Sequence, residues 1–213
     1  MHQSSRGDQK RADLLDAALK LFGERGFKAV STREIASLAH ATLPSIQHHF
    51  GSKEGLYEAV IQHYAVQLHS DMKPMAVQIE RLLSQPSVTR VQLVDALEAI
   101  FLRQTGRLLR TKREWANLFL PAQQTGSEVI KHHSEVMEEV VLIPIRNLIA
   151  RLREKPETDP EVKLEALLLF GRVHVFRLMR TTSINFLGWA ELSDEKIEEV
   201  IEMLRRELRK TYL

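Results

Sequence analysis

The residues from Thr42 to His49, Thr-Leu-Pro-Ser-Ile-Gln-His-His, gather on one short segment side chains able to read nucleic acid. If the segment is helical, Ile46 and Phe50, four apart, turn to one side, leaving Leu43, Pro44, Ser45, Gln47, His48 and His49 facing outward or sideways. A solvated helix ordinarily shows Glu, Lys and Arg. This one offers hydroxyls, an amide, imidazoles and apolar groups, which can meet base edges or a thymine methyl in a major groove. Lys53 follows in the first turn of the next helix, where free backbone amides already favour an anion. No acid lies between Glu34 and Glu54, and Arg6, Lys10 and Arg11 flank the start of the first helical pattern. Arg33, in the first turn of the helix that precedes this segment, can on its own be simply a solvated charge.

Other chemistries fare worse. His48-His49 and His132-His133 are adjacent pairs, and helical neighbours point about 100° apart, so neither forms the i, i+4 pincer of a helical metal site. Neither a metal nor a cofactor is expected. The chain lacks cysteine, a G-x-G-x-x-G or P-loop glycine pattern, a G-x-S-x-G elbow and H-E-x-x-H. An enzyme would therefore have to rest on residues without motif spacing, so none is expected. An all-helical adaptor that binds only protein is the third class of reading.

The elements that must position the segment are helical by periodicity. Leu14, Leu15, Ala18, Leu19 and Phe22 form a stripe at the 3.6-residue period, predicting a first helix from about Asp8 to Glu24, ended at Gly26. Ser31-Thr-Arg-Glu34 has the form of a capping box, opening a short helix to Ala39. Thr42 caps the next, with Pro44 in its first turn, and Gly51 ends it. Two short helices over residues 31–50 joined by about three residues make a helix-turn-helix, whose second helix enters the major groove. Ser52 starts a long helix that Pro74 should kink or break. Further helices are predicted at roughly Val88–Leu109, Lys112–Leu120, Ser127–Arg153 with a bend at Pro144, Pro160–Phe186 and Ser193–Tyr212. The fold class is all-α, with nine or ten helices.

With 213 residues, 44% hydrophobic and 27% charged, the chain has a globular composition. The net charge of +2 divides evenly along it, so bulk charge announces no partner. Lacking cysteine, an apolar leader segment and any membrane-length apolar run, it is expected in a reducing cytosol, away from the membrane.

Residues Ser31 to Leu56, STREIASLAHATLPSIQHHFGSKEGL, together with LFGERGF at Leu21–Phe27, resemble the DNA-binding signature of the TetR-type transcriptional repressors. His49–Tyr57, HFGSKEGLY, resembles one branch of that family, as do Asp159-Pro-Glu-Val-Lys163, Phe170-Gly171, Phe176-Arg177 and Gly188-Trp189 through Leu192. One departure is His40, where the family's turn commonly has Gly. The resemblance implies a DNA-binding domain at 1–63 and an effector-binding and dimerisation domain at 64–213. It implies a homodimeric bacterial repressor, in the cytosol or nucleoid, that leaves a palindromic double-stranded operator when a small molecule binds. It makes Thr42 the cap of the reading helix, places Leu43, Pro44, Ser45, Gln47 and His48 at the DNA face, and aligns Arg33, His49 and Lys53 with DNA contacts. Dimerisation through the last two long helices matches their apolar content: Leu164, Leu167, Leu168, Phe170, Ile197, Val200, Ile201 and Leu204 exceed one buried stripe.

Phe101, Trp115, Phe119, Met137, Phe170, Phe176, Met179 and Trp189 are either plain core or, in part, the wall of an effector pocket. The pocket reading selects Phe101, Trp115, Phe119, Met137, Phe170 and His174. His174, on an apolar helix, is more often a core histidine with its hydrogen bonds met than a ligand contact.

Overall fold

A computed structural model describes residues 6–111, 114–115, 117–118 and 128–213. Among them every regular element is helical. The elements are α1 (Arg6–Arg25), α2 (Thr32–Leu38), α3 (Leu43–Phe50), α4 (Lys53–Leu83), α5 (Arg90–Arg110), α6 (Glu128–Met137), α7 (Ile143–Arg153), α8 (Pro160–Gly171), α9 (Val175–Leu178), α10 (Arg180–Leu187) and α11 (Asp194–Tyr212). A π turn, Glu138–Leu142, joins α6 to α7.

Packing divides the chain into two units: Met1–Gln67 with Lys112–Ser134, and Leu68–Thr111 with Glu135–Leu213. The first closes around Leu14, Ala18 and Phe22 of α1, Ile35 and Ala36 of α2, Ile46 of α3, and Leu56, Val60 and Ile61 of α4. Burying each large apolar side chain contributes about 1.5–3 kcal/mol, which is what holds helices as short as α2 and α3 in place. Phe22, Phe27 and Tyr57 pack ring to ring at 5.1–5.6 Å, mostly edge-on. Trp115 and Leu118 complete this core although they follow α5 in sequence. Trp115 stacks on Tyr64 at 3.9 Å, Tyr57 Oη donates to the Leu118 carbonyl at 3.1 Å, and Asn117 Nδ2 donates to the Gly23 carbonyl at 2.9 Å.

In the second unit α5 is flanked by α7 and α11. Its stripe of Leu93, Leu97, Ile100 and Phe101 is buried, as are Ile145 and Leu148 of α7. Arg209 ties α11 to α5 through Asp95 and Glu98, each at 2.6 Å.

Several sequence expectations change here. Pro74 does not end α4, which runs through it from Lys53 to Leu83. A proline removes one helical hydrogen bond, and the apolar face on either side (Leu68, Met72 and Ile79, all buried) keeps the helix going. Before Pro144 the helix accommodates the missing N–H by a π turn, with the Ile143 N–H reaching the Glu138 carbonyl.

The expected helix Pro160–Phe186 is broken at Arg172–His174. There the backbone switches to i, i+3 bonds, and the His174 N–H donates to the Gly171 carbonyl. The Phe170 carbonyl, which His174 N–H would take in a continuous α-helix, is met instead by the His174 ring, Nδ1 to O 3.0 Å. Ile197, Val200 and Ile201 of α11 face α5 and are buried within the chain. Phe119 and much of the expected Lys112–Leu120 helix lie outside the described residues.

Candidate nucleic-acid interface

The helix-turn-helix is fixed at each of its ends. Ser31 and Glu34 form the capping box: the Glu34 amide donates to Ser31 Oγ at 3.2 Å and the Ser31 amide to Glu34 Oε2 at 2.8 Å. Arg25 joins Glu34 at 2.6 Å. Accepting from the Ser31 amide and hydroxyl, beside the Arg25 guanidinium, holds the Glu34 carboxyl down at about 2. The charged end of α2 is therefore locked to the end of α1.

The turn after α2 is closed by two bonds, Ala41 N–H to the Ala36 carbonyl at 2.8 Å and His40 N–H to the Ser37 carbonyl at 3.2 Å. This 6→1 and 5→2 pair needs a left-handed residue, and His40 supplies it at φ 47°. Lys10 Nζ, from α1, donates to the His40 carbonyl at 2.9 Å and braces the turn.

Thr42 occupies the cap position of α3 with extended backbone, φ −106° and ψ 156°. Its hydroxyl bonds the Ser45 hydroxyl at 2.9 Å and makes no cap to a backbone amide. The side-chain cap expected of Thr42 is therefore replaced by a Thr42–Ser45 hydroxyl pair, because Pro44 in the first turn leaves one fewer amide to satisfy.

Ile46 is the buried anchor of α3, while Thr42, Leu43, Pro44, Gln47 and His48 are exposed and Ser45 and His49 half-buried. Gly51 ends the helix at φ 73°, and Ser52 caps α4 by accepting from the Gly55 amide at 3.0 Å. Lys53 then stands in the first turn of α4 with Nζ 4.3 Å from the Phe27 ring centroid. Thr32, Leu43, Gln47, His48, Ser52 and Lys53 border one shallow concavity. Arg33 is exposed on the first turn of α2.

Of the nine residues predicted for DNA contact, Arg33 lies on α2, Thr42 at the cap of α3, Leu43, Pro44, Ser45, Gln47, His48 and His49 on α3, and Lys53 at the start of α4. Thr32 and Ser52, which the sequence did not single out as contacts, border the same concavity, and the guanidinium of Arg11, from the basic group at the start of α1, lies 5.4 Å from the Phe50 ring centroid.

The described residues proposed for an effector pocket are divided between the two units. Trp115 belongs to the first unit, against Tyr64 and His133. Phe101, Met137, Phe170 and His174 are in the second. Phe101 is buried, the other three are half-buried, and the Phe170 and His174 rings pack at 4.5 Å. Burial pushes the His174 imidazole below its ordinary value. The same unit also buries two polar side chains that the sequence analysis did not single out, Gln104 and Thr105. Their signal was legible, since both occupy positions in the buried phase of α5 where apolar residues belong.

No helix among the described residues is long and apolar enough to cross a membrane.

Residues 14–60 match the family described as bacterial regulatory proteins, tetR family. The chain is 31% identical over 201 residues to the HTH-type transcriptional dual regulator CecR of Shigella flexneri, covering 91% of this chain and 86% of that protein. It is 39% identical over 198 residues to the HTH-type transcriptional regulator BetI of Rhizobium meliloti, covering 88% and 87%. Among solved structures, Salmonella enterica GusR superposes with a TM-score of 0.62 at 19% identity over 99% of both chains. Bacillus subtilis FadR, solved in complex with stearoyl-CoA, superposes with 0.63 at 15% identity over 92% and 96%. The structures share the fold, and the relatives share sequence along nearly the full chain as well as a helix-turn-helix. The chain belongs to the tetR family of bacterial regulatory proteins and is a DNA-binding transcriptional regulator.

Proposed function

We propose that this regulator is a homodimeric repressor that leaves a palindromic operator when a small-molecule effector binds. In this reading residues 1–63 bind DNA and residues 64–213 bind effector and dimerise. The observation that carries it is α3: an exposed set of Leu43, Pro44, Gln47 and His48 on a helix anchored by one buried residue, Ile46. Those side chains read bases, with Ser45 beside them. Arg33, His49 and Lys53 meet phosphates, and Thr42 sets the start of the reading helix.

The apolar surface of the second unit supports dimerisation. Leu164, Leu167 and Leu168 of α8 are 55–62% exposed, Phe186 of α10 88% and Met203 of α11 58%. The opposite face of α8, with Val162, Ala166 and Leu169, is already used within the chain. A second copy would cover the exposed leucines, and an obligate interface of this kind buries about 2,000 Å² or more. Two reading helices then need a separation of about 34–36 Å to enter successive major grooves. An effector preferring another separation lowers operator affinity by its differential affinity for the two states, and operator lowers effector affinity equally. FadR, a protein of like fold, was solved in complex with stearoyl-CoA, which supports a small-molecule effector here. The reading places the protein in the bacterial cytosol, where the operator is.

Sedimentation at micromolar concentration, with and without a palindromic duplex, tests the reading. It expects a dimer alone and one dimer per duplex. A monomer that binds half-sites independently would contradict it.

A further inference from the structure

On α5, Gln104 and Thr105 continue the buried stripe of Leu97, Ile100 and Phe101. Gln104 is 3% exposed and Thr105 fully buried. Among the described residues, Gln104 Oε1 and Thr105 Oγ1 have no hydrogen-bond partner. The Gln104 amide nitrogen reaches only Met137 Sδ, at 3.9 Å, a weak acceptor. Exchanging the amide's oxygen and nitrogen leaves one end against the same thioether and the other end still unmet. Buried polar atoms without partners cost stability, and two within one helical turn are unusual.

The surroundings point to a ligand. Met137, which faces the Gln104 amide, is the last residue of α6, directly before the π turn that precedes Pro144. A methionine side chain adapts its shape to what it touches. The charge balance narrows the ligand's class. Gln104 and Thr105 are the buried polar side chains described in this unit. Arg103 and Arg107, on the same helix, are engaged by Asp71, at 3.2 Å to its carbonyl and 3.3 Å to its carboxylate. A carboxylate or an ammonium placed beside Gln104 would be buried without a counter-charge.

We infer that Gln104 and Thr105 are the polar contacts for a neutral, mainly apolar effector bearing a hydroxyl or N–H group. That group donates to Gln104 Oε1. The Thr105 hydroxyl, pointing about 100° away on the helix, meets a different part of the molecule as donor or acceptor. The inference rests on the effector-binding reading above and names the chemistry of that effector.

Two matched sets of probes test it on the full chain: biphenyl-4-ol, biphenyl and biphenyl-4-carboxylate; and 1-decanol, decane and decanoate. Thermal melting and titration should show the alcohol of at least one set stabilising the protein and binding about tenfold more tightly than its hydrocarbon or carboxylate. Gln104→Leu should abolish that preference. Free of probe, Gln104→Leu and the near-isosteric Thr105→Val should each melt above wild type, because each removes an unmet polar atom. A carboxylate that binds as well as its alcohol, no stabilisation by either alcohol, or both variants melting below wild type would overturn the inference. Binding to duplex is measured separately. If an alcohol binds through Gln104 and leaves DNA affinity unchanged, the release mechanism fails and the assignment of the polar contacts stands.

Discussion

Gly23→Ala should destabilise the protein although alanine is the better helix former. Gly23 sits in the last turns of α1, and a Cβ added there would lie 2.3 Å from Glu114 Cβ and 2.4 Å from both its Cα and its carbonyl oxygen. Carbon atoms pack at about 3.5–4.0 Å, so the backbone at Glu114 must retreat by about 1 Å or more. That retreat breaks the Asn117 Nδ2 bond to the Gly23 carbonyl, 2.9 Å, and strains the Tyr57 Oη bond to the Leu118 carbonyl, 3.1 Å. Overpacking costs about 1–3 kcal/mol and one lost hydrogen bond about 1 kcal/mol. The gain from helix propensity is about 1 kcal/mol. The net loss is therefore about 1–3 kcal/mol, and for a chain of this size each kcal/mol lowers Tm by about 2–4 °C. Urea unfolding followed by Trp115 fluorescence, with Trp189 replaced by Phe in both proteins, reads the effect where the segment packs. A Gly23→Ala protein as stable as its parent, or more so, would refute the packing of Trp115 and its neighbours on α1.

His40 at φ 47° gives a paired test: His40→Gly should be neutral or stabilising by up to ~1 kcal/mol, whereas His40→Val should cost about 1–2 kcal/mol in urea unfolding. Glu34 is held from the ordinary 4.5 down to about 2, so its contribution is complete above pH 4.5 and lost as pH falls towards 2. Acid titration of Glu34→Gln should show a shallower loss of stability across that window, and an unchanged slope would deny the capping box. Lys53→Ala should weaken binding to all duplexes alike and reduce the salt dependence by about one ion, which titration across salt concentrations checks.

Local chemistry made the reading element legible. Ser31 with Glu34 and the glycine stops at Gly26 and Gly51 are each specified within five residues, and they appear in the structure as written. What stayed hidden is non-local. Nothing near Trp115 in sequence says that it packs beside Tyr64 in the core shared with α1. The break after Gly171 lies in an apolar run that reads as continuous helix, because His174 closes it by a side-chain bond that periodicity does not register. The leucines of α8 and the isoleucines of α11 look alike in sequence. Only packing on α5 separates Ile197 and Ile201, which are buried, from Leu164 and Leu168, which are exposed. The Thr42 hydroxyl also went astray, drawn by Ser45 where a backbone amide was expected.

Selection of bound duplexes from a randomised library, by wild type and by Gln47→Ala in parallel, tests the central claim most directly. The account predicts a palindrome for wild type, with half-site centres one helical turn or a multiple of it apart. For Gln47→Ala it predicts the same palindrome with choice relaxed at one symmetric position, by about 1–3 kcal/mol. A wild-type consensus without two-fold symmetry, or an identical consensus from both proteins and from Leu43→Ala and His48→Ala, would contradict the assignment of α3 as the reading helix.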